Sequence, residues 1–420
     1  MFRSSDTPPH HPRPEAGRPA VWRPARARRA VHQTSLYARA ALAARRRRAA
    51  GHPDELEALA GERLYARLSE LPADVVSGCR LIKVPGNRPP WVDTGIDVRA
   101  GELVTTFASG HITMSRFFDI WFGPDFQLWA RVGDNGPVFR GTRASNSFSA
   151  ASSGRLFLAS YFPGVWADPS GRLAGTPSDY DRVHGELSAI VVRWAPGVHP
   201  RTGLAQVATD APGDLAAAEM RRLDDHVRSP DGWKYAWQLG DAEMWSDSPA
   251  EDGVICCHTK GDVGVVQYDV DVPVTEGTRF RWRWCIDSLP SLMAEDITVT
   301  HDYTSIALEF DNGQDISYFW SAELPVGYTF RCPVPGYTQM ETHVALRSGA
   351  VGLGNWHAED RGVLEDYRRA VGHPPARIVR VWLIAVSLFQ RHSGESQFAD
   401  IELVTDRGTV QVTGDSRRKA

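Results

Sequence analysis

Residues 280–284 decide the fold class, because Phe280-Arg281-Trp282-Arg283-Trp284 alternates aromatic with cationic side chains. Successive side chains of a β-strand point to opposite faces, so this period of two predicts a strand with one aromatic and one cationic face. The same period recurs at residues 263–272, 304–310 and 379–386. Short alternating strands in series indicate a β-sandwich or a related barrel. We therefore predict a β-sandwich over residues 231–405.

Similar runs earlier in the chain predict a first β-sandwich, for example Leu103-Val104-Thr105-Thr106-Phe107. Turn signatures such as Asp134-Asn135-Gly136 separate the runs. Between the two strand series, residues 214–220 combine a capping aspartate with good helix formers. The predicted order is a disordered Arg- and Pro-rich tail (1–34), a helical segment (35–74), the first sandwich (75–195), a linker with a helix (196–230), the second sandwich (231–405) and a polar tail (406–420).

The composition of the 420 residues agrees with this assignment. Glycine (37) and proline (28) are plentiful and methionine (6) is scarce, which favours short strands joined by tight turns over long helices. We expect a mainly all-β fold of two β-sandwich or jelly-roll-like modules, with a short helical N-terminal segment and a linker helix.

Charge and hydropathy patterns exclude several classes of protein. The formal net charge is −4, and arginine is concentrated in the first fifty residues, so the remaining body would repel nucleic acid. No run approaches the roughly 20 apolar residues that cross a bilayer. The N-terminal positive charge is not followed by the apolar segment of a secretion signal. We expect a soluble cytoplasmic protein without membrane insertion.

Two local features leave alternatives open. The run of arginines at residues 45–48 either contacts phosphate or an acidic partner, or forms a solvated helical face. The cysteines are odd in number and lack the paired spacings of a zinc site, so we expect reduced and mostly buried thiols. For the adjacent Cys256 and Cys257 a redox or metal role stays open. The full set is Cys79, Cys256, Cys257, Cys285 and Cys332.

The first module opens with a strand-turn-strand motif that has a polar rim, Trp91-Val92-Asp93-Thr94-Gly95-Ile96-Asp97-Val98 followed by Gly101-Glu102-Leu103-Val104. Over about residues 75–195 it resembles the LecA-like galactose-binding bacterial lectin domain. The resemblance implies a loop that binds calcium, which in turn holds two sugar hydroxyls. The corresponding residues, 161–186, lack the paired asparagines of that family. The implied calcium ligands are Asp168, Asp179 and Asp181.

Three motifs follow one another in the second module: Trp282-Arg283-Trp284, His301-Asp302-Tyr303 and Asn355-Trp356-His357-Ala358-Glu359-Asp360-Arg361. In spacing and order they resemble the uncharacterised bacterial family called domain of unknown function 3047. The resemblance implies a sandwich of the concanavalin or galactose-binding-like type. It implies no activity.

The densest set of polar side chains lies near residue 360, on a predicted loop and the first turns of a helix. Such a set can hold a polyol or an acid. The alternative is a surface helix with ion pairs, Arg361 with Glu365 and Asp366 with Arg369, pinned by buried aromatic rings. The predicted ligand contacts are Trp356, His357, Arg361, Asp366 and Tyr367.

Aromatic rows offer a second ligand surface, since Trp233 and Trp237 share one face of a strand, as do Trp282 and Trp284. Rings on a concave sheet stack on sugars or enclose an apolar metabolite. Rows that face the core are the alternative, and Arg281 and Arg283 would then need solvent or partners. We include Trp320 among the predicted contacts.

An enzyme would need two carboxylates on one sheet face, one as acid and one as base. The candidates are Asp302 and Glu359, with His301 as a base that its neighbour Asp302 orients. Glu309, Asp311 and Asp315 are further carboxylates, of which Asp311 belongs to a turn signature. Motifs for a nucleophile elbow, a phosphate loop or a zinc protease are absent from the sequence.

We therefore expect a protein that binds carbohydrate or a small ligand at the rims of its sandwich modules. The alternative is a β-sandwich enzyme, either a glycan-cleaving hydrolase or lyase, or a cyclase that tailors a bulky apolar metabolite. A third possibility is an interaction protein whose Arg-rich tail recruits an acidic partner. The sequence leaves the oligomeric state open.

Overall fold

The computed structural model describes residues 23–51, 54–88, 90–141, 143–160, 166–224, 228–239, 244–335 and 337–413. These residues are mainly in β-strands, arranged in four sheets, as the sequence predicts. The chain divides into two compact units. Unit 1 is mainly Ala44–Val227. Unit 2 is mainly Ala242–Ala420, with Arg228–Gln238 and the described residues before Ala44.

Unit 1 is a sandwich of two antiparallel sheets. One sheet has the order β1-β8-β3-β4, with β6 also paired to β3, and the other has the order β2-β7-β5. The elements up to the end of the first strand series are α1 (Arg23–Ala50), α2 (Asp54–Ser69), β1 (Val76–Pro85), β2 (Val92–Val98), β3 (Leu103–Ser115), β4 (Ile120–Phe122), α3 (Pro124–Gln127), β5 (Leu128–Val132), β6 (Ser145–Ser149), β7 (Gly154–Ser160) and β8 (His184–Trp194).

Both faces of the larger sheet of unit 1 are covered. Side chains such as Val104, Leu156 and Val191 are fully buried in the core that includes residues of both sheets. Phe107 and Trp194 lie in a second core with Leu64 of helix α2. That second core also includes residues of α4 (Pro200–Leu204) and α5 (Leu215–Asp224). The helix predicted in the linker therefore packs on unit 1.

Unit 2 is also a sandwich of two sheets. The six-stranded sheet has the order β10-β11-β20-β13-β18 with β21 paired to β20, and the seven-stranded sheet has the order β16-β17-β15-β14-β19-β12-β9. The elements are β9 (Lys234–Leu239), β10 (Trp245–Asp247), β11 (Ile255–Lys260), β12 (Val263–Pro273), β13 (Arg279–Ser288), β14 (Tyr303–Phe310), β15 (Asp315–Ser321), β16 (Thr329–Arg331), β17 (Glu341–Ser348), β18 (Trp356–Gly362), α6 (Val363–Ala370), β19 (Arg377–Val386), β20 (Ser393–Thr405) and β21 (Gly408–Gln411).

Strand β13 shows how the alternating pattern builds unit 2. Its residues Phe280, Trp282 and Trp284 are at most 1% exposed and belong to one large apolar core. The intervening Arg281 and Arg283 are on the opposite face, where they pair with acidic side chains of the neighbouring strands. Both arginines therefore have the ion-pair partners that they need when the aromatic rings of the strand face the core.

Most strand pairs in unit 2 are antiparallel, but β15 and β17 pair in parallel. A parallel neighbour requires a crossover connection. The chain between these strands includes the short strand β16, which pairs antiparallel to β17 with Phe330 opposite His343. This crossover places residues near 332 beside strand β17.

Two predicted tails contain regular structure. Helix α1 includes residues 23–34, so the prediction of disorder is wrong for them, whereas residues 1–22 lie outside the described residues. These residues extend a helix whose later part has the buried residues Leu36, Ala40 and Ala44, spaced four apart. Within the extension, His32 Nε2 lies 3.0 Å from Asp296 Oδ1. The predicted polar tail contains strand β21, which pairs with β20. Among the described helices none is both long and apolar enough to cross a bilayer.

Gly110 on β3 is a position where the backbone requires glycine. Its φ is +91°, and a Cβ there would lie 2.5 Å from the carbonyl oxygen of Glu186. We expect Gly110→Ala to lower the free energy of unfolding of unit 1 by about 2 kcal/mol or more, because conformational strain and a clash with backbone add. Equilibrium denaturation measures it.

Gly101→Ala is the matched control for this prediction. Gly101 also has a positive φ, +86°, but nothing lies within 4 Å of its Cβ position. It should therefore cost only the conformational penalty, about 1 kcal/mol. Equal losses in the two variants would show that the contact with Glu186 is unimportant.

Candidate functional site

The predicted catalytic residues have different surroundings. The carboxylate of Asp302 is buried and accepts the backbone N–H groups of Phe389 and Gln390. Burial raises the pKa of Asp302 to about 7, although these hydrogen bonds oppose the rise. Glu359 accepts hydrogen bonds from Trp284 Nε1 and Arg347 Nε. The two carboxylates thus bind different groups, and catalysis by them stays a prediction.

The predicted aromatic ligand surface is instead the core of unit 2. Trp233, Trp282, Trp284 and Trp320 are at most 4% exposed, which corrects their assignment as ligand contacts. Trp284 lies against Trp282 and Trp320, with ring centroids 5.9 and 6.1 Å apart. These rings face the core, which is the alternative that the sequence left open. The side chain of Trp237 lies outside the described residues.

The predicted ligand contacts near residue 360 lie on strand β18 and helix α6. The expected loop at residues 356–360 is a strand, because β18 pairs with β13 over that range, and Arg361, expected in the first turn of the helix, belongs to the same strand. Trp356 lies under the guanidinium of Arg283, 4.9 Å from ring centroid to Cζ. His357 Nε2 is 2.9 Å from the carbonyl oxygen of Gly352, and its ring contacts Trp320.

The remaining members of this set form a buried ion-pair network. Arg361 donates to both oxygens of Asp366, at 2.8 and 2.7 Å, and Tyr318 donates its hydroxyl to the same carboxylate. Tyr367 is fully buried and accepts from Asn312 Nδ2. The predicted pairing of Arg361 with Glu365 is wrong, since Glu365 pairs with Arg369. Arg361 and Asp366 bind each other and Tyr367 binds Asn312, as the alternative of an ion-paired helix with buried rings predicts.

The three predicted calcium ligands lie in turns of unit 1. Asp168 accepts hydrogen bonds from Ser170 and Arg172, and Asp179 accepts from the backbone N–H of Thr176. Asp181 is exposed. Among the described residues these aspartates do not form a group with metal-ligand spacing. Calcium binding at this loop stays a prediction.

A pocket of about 390 Å³ lies at the rim of unit 1, at the end of strand β3. The antiparallel pairing of β3 with β8 sets Thr113 opposite His184. His111 is two residues before Thr113 and therefore projects from the same face of β3. The lining residues are Arg48, His111, Thr113, Arg116, Asp119, His184 and Gly185.

Helix α1 contributes to this pocket through its last turn. Arg47 Nε lies 3.2 Å from Asp119 Oδ2, and Arg48 donates to the carbonyl oxygen of Phe117. Asp119 is buried and has a positive φ of 56°, a conformation that aspartate tolerates better than most residues. Two arginines of the run at residues 45–48 therefore contact the turn before β4. The sequence had left open a phosphate contact or a solvated helical face for this run.

A second polar cluster is fully enclosed in unit 2. His301, Cys332 and His343 have ligand atoms within 4.8 Å of one another, and all three are buried. His301 Nδ1 lies 2.6 Å from the carbonyl oxygen of Glu295, and His301 Nε2 lies 3.5 Å from Cys332 Sγ. Burial, and then the neighbouring His343, lowers the pKa of His301 to about 3. The ring is therefore neutral at neutral pH.

Carboxylates surround this cluster. Glu341 Oε2 lies 3.7 Å from His343 Nε2. Burial alone would raise the pKa of Glu341, but its interaction with His343 outweighs burial and lowers it. Asp315, opposite Glu341 in the parallel pair of strands, has its pKa raised well above the usual value by burial and then by Glu341 and Glu309.

Part of the chain matches a known protein family. Residues 242–402 match the family "Protein of unknown function (DUF3047)". The family predicted for the second module is confirmed. The DUF3047 region holds the whole cluster of His301, Cys332 and His343, while the rim pocket of unit 1 is outside it. No curated protein sequence matches the chain.

Similar solved structures include domains that bind or act on glycans. A PllA-like lectin, the EclA N-terminal domain, is 20% identical, with a TM-score of 0.22 over 29% of this chain and 99% of its own. The xyloglucanase domain of NopAA from Sinorhizobium fredii, in complex with cellobiose, is 9% identical, with a TM-score of 0.27 over 42% and 95%. The CBM22 tandem domain of Xyn10C from Paenibacillus barcinonensis is 8% identical, with a TM-score of 0.19 over 77% and 92%. At these TM-scores the likenesses carry no argument about function.

Sequence patterns missed both clusters. Of the cluster His301, Cys332 and His343, only His301 was a predicted site residue, with Asp302 as its partner, because Cys332 and His343 have no recognisable spacing. In unit 1 the residues that line the pocket come from helix α1, two strands and a turn, which are far apart in the sequence. The single usable signal was the arginine run at residues 45–48.

Proposed function

We propose that unit 1 binds an acidic saccharide in its rim pocket. The observation that carries this proposal is the pocket itself, about 390 Å³ in volume and lined by side chains that donate and accept hydrogen bonds. Small-molecule sites in proteins occupy about 300–1,000 Å³ and use a few well-placed polar groups to orient the ligand. A pocket at a sandwich rim also agrees with the rim binding expected from the sequence.

The lining favours a sugar with a negative charge. Arg48 and Arg116 are cationic and the two histidines add donors, while Asp119 is the acidic member and already faces Arg47. Arginine binds carboxylate and phosphate through parallel N–H groups. Sugar hydroxyls can bind Thr113 and the imidazoles. Trp121 lies beside the pocket, with its ring centroid 5.3 Å from that of His111, and gives the apolar surface on which sugar faces pack.

Calorimetry on the full chain tests this proposal. The panel contains galactose and glucose as neutral sugars, galacturonate and glucose 6-phosphate as acidic sugars, and inorganic phosphate. We expect the acidic sugars to bind more tightly than the neutral ones, and Arg116→Ala or His184→Ala to weaken binding at least about tenfold, or ~1.4 kcal/mol. Each titration is run with calcium and with a chelator, which also tests the predicted calcium ligands.

Arg182→Ala is the control, because Arg182 is an exposed arginine two residues from His184 that does not line the pocket. The Arg182→Ala chain should bind each sugar as tightly as the unmodified chain does. If no sugar binds, either with calcium or without it, the proposal is wrong. If inorganic phosphate and glucose 6-phosphate bind equally tightly, the pocket binds an anion without recognising the sugar, and the saccharide part of the proposal is wrong.

A further inference from the structure

His301, Cys332 and His343 come from three separate parts of unit 2. His301 ends the short turn before β14, Cys332 follows β16, and His343 is on β17. Backbone pairing fixes the last two, since Phe330 is opposite His343 and the N–H of Cys332 donates to the carbonyl of Glu341. The ligand atoms are therefore held by sheet structure and not by a flexible loop.

The hydrogen bonding of His301 sets its tautomer. A carbonyl oxygen only accepts, so the 2.6 Å contact with Glu295 places the proton on Nδ1. The lone pair is then on Nε2, which faces Cys332 Sγ at 3.5 Å. A histidine whose other nitrogen donates to a backbone carbonyl is the arrangement in which protein histidines bind metals.

His343 provides the second, independent observation. It is 0% exposed, and neither of its ring nitrogens has a hydrogen-bond partner. Its 3.7 Å distance to Glu341 is too long for a hydrogen bond. A buried polar group without a partner costs about 1–3 kcal/mol and calls for an explanation such as a bound ion. A metal ion among the three side chains would satisfy His343.

We propose that His301, Cys332 and His343 bind a divalent transition-metal ion, zinc in the first instance, with Glu341 as the fourth ligand. Zinc–nitrogen and zinc–sulfur bonds of about 2.0–2.3 Å put the ligand atoms of a tetrahedral site roughly 3.3–3.8 Å apart. The 3.5 Å from His301 to Cys332 and the 3.7 Å from His343 to Glu341 fall in that interval. The ligand atoms of His301, Cys332 and His343 lie within 4.8 Å of one another, so the three side chains would move closer together around the ion, and Glu341 would move in from outside this group. Thiolate and imidazole ligands favour zinc over calcium or magnesium.

Charge and burial indicate a structural role for this metal. One thiolate and one carboxylate cancel the charge of a divalent cation, and both imidazoles are neutral, so the enclosed site is balanced. His301, Cys332 and His343 are at most 2% exposed and Glu341 is 9% exposed, and four protein ligands leave no open position for substrate. The metal would join the turn before β14 to the crossover that carries β16.

Cobalt substitution tests the site. The full chain is freed of metal with a chelator and titrated with Co²⁺. We expect one equivalent to produce thiolate-to-cobalt charge-transfer absorption and the intense visible bands of a tetrahedral ion, and Zn²⁺ to displace it. Cys332→Ser should remove the charge-transfer band and weaken binding at least about 100-fold, more than loss of an outer-shell group. Glu341→Gln keeps one amide oxygen but removes the charge of a ligand, so it should weaken binding at least about tenfold, the lower end of the loss for an outer-shell group.

Cys256→Ser is the control, because Cys256 is a partly buried thiol on β11 outside the cluster, and it should keep the full spectrum. A Cys332→Ser chain that fails to fold does not end the test. In the unmodified chain, zinc should slow alkylation of Cys332 at least about tenfold and leave Cys256 unchanged. No stoichiometric binding to the unmodified chain, or an unchanged cobalt spectrum in Cys332→Ser, would overturn the proposal.

Discussion

Replacing Trp284 with alanine is expected to lower the free energy of unfolding of unit 2 by about 3–5 kcal/mol. The side chain is 0% exposed and lies against Trp282, Trp320 and Phe398. Its indole N–H donates to Glu359. Truncation therefore leaves a large cavity and deprives Glu359 of a donor. Denaturant unfolding followed by circular dichroism measures the loss.

Trp356→Ala is the matched control for Trp284. Trp356 is only partly buried and lies on the adjacent strand β18, where its main contact is the guanidinium of Arg283. An exposed cation–π contact contributes about 0.5–1 kcal/mol. If both variants lost the same stability, the distinction between the core row and the surface ring would fail. A stable Trp284→Ala chain would restore the ligand interpretation of the aromatic row.

The second large effect is expected at Glu219 of helix α5. Its carboxylate is 0% exposed, accepts two hydrogen bonds from Arg222 at 2.7 and 2.6 Å, and accepts a third from Ser145 on β6. The side chain of Arg222 is only 11% exposed. Glu219→Ala removes the carboxylate from this buried ion pair, so we expect unit 1 to lose about 3–5 kcal/mol. Thermal or denaturant unfolding measures the loss.

The pH dependence of this pair has a definite sign. Burial alone would raise the pKa of Glu219, but the hydrogen bonds from Arg222 and Ser145 outweigh it and lower the pKa below 4.5. An acid with a lowered pKa stabilises the fold above its unfolded pKa and loses that contribution as the pH falls through its folded pKa. The stability difference between Glu219→Gln and the unmodified chain should therefore be full near pH 7 and shrink below about pH 4.5.

Asp224→Ala is the control on the same helix. Asp224 pairs with Arg201, but both side chains are about half exposed, at 47% and 49%. Exposed ion pairs contribute about 0–1 kcal/mol. A loss at Asp224 as large as the loss at Glu219 would show that burial is not what gives the Glu219 pair its weight.

The helices and strand β18 show where sequence patterns mislead. Helix α1 was missed up to residue 34 because those residues have no apolar period of their own, and they continue a helix that packs through the later residues Leu36, Ala40 and Ala44. Strand β18 was expected as a loop because both of its faces are polar. Its Asp360 pairs with Arg279 and Arg281 of β13, and only the neighbouring strand supplies that partner.

The sequence by itself determined the strands with alternating apolar residues and the direction of their side chains. The period of two over residues 280–284 assigns rings and arginines to opposite faces, because backbone geometry alone fixes that alternation. Tertiary structure decided which face became the core, since burial requires a second sheet whose position no local pattern encodes. It also decided the cluster of His301, Cys332 and His343, which a crossover between parallel strands brings together from distant positions. Such proximity depends on how long connections close, and local spacing carries no record of it.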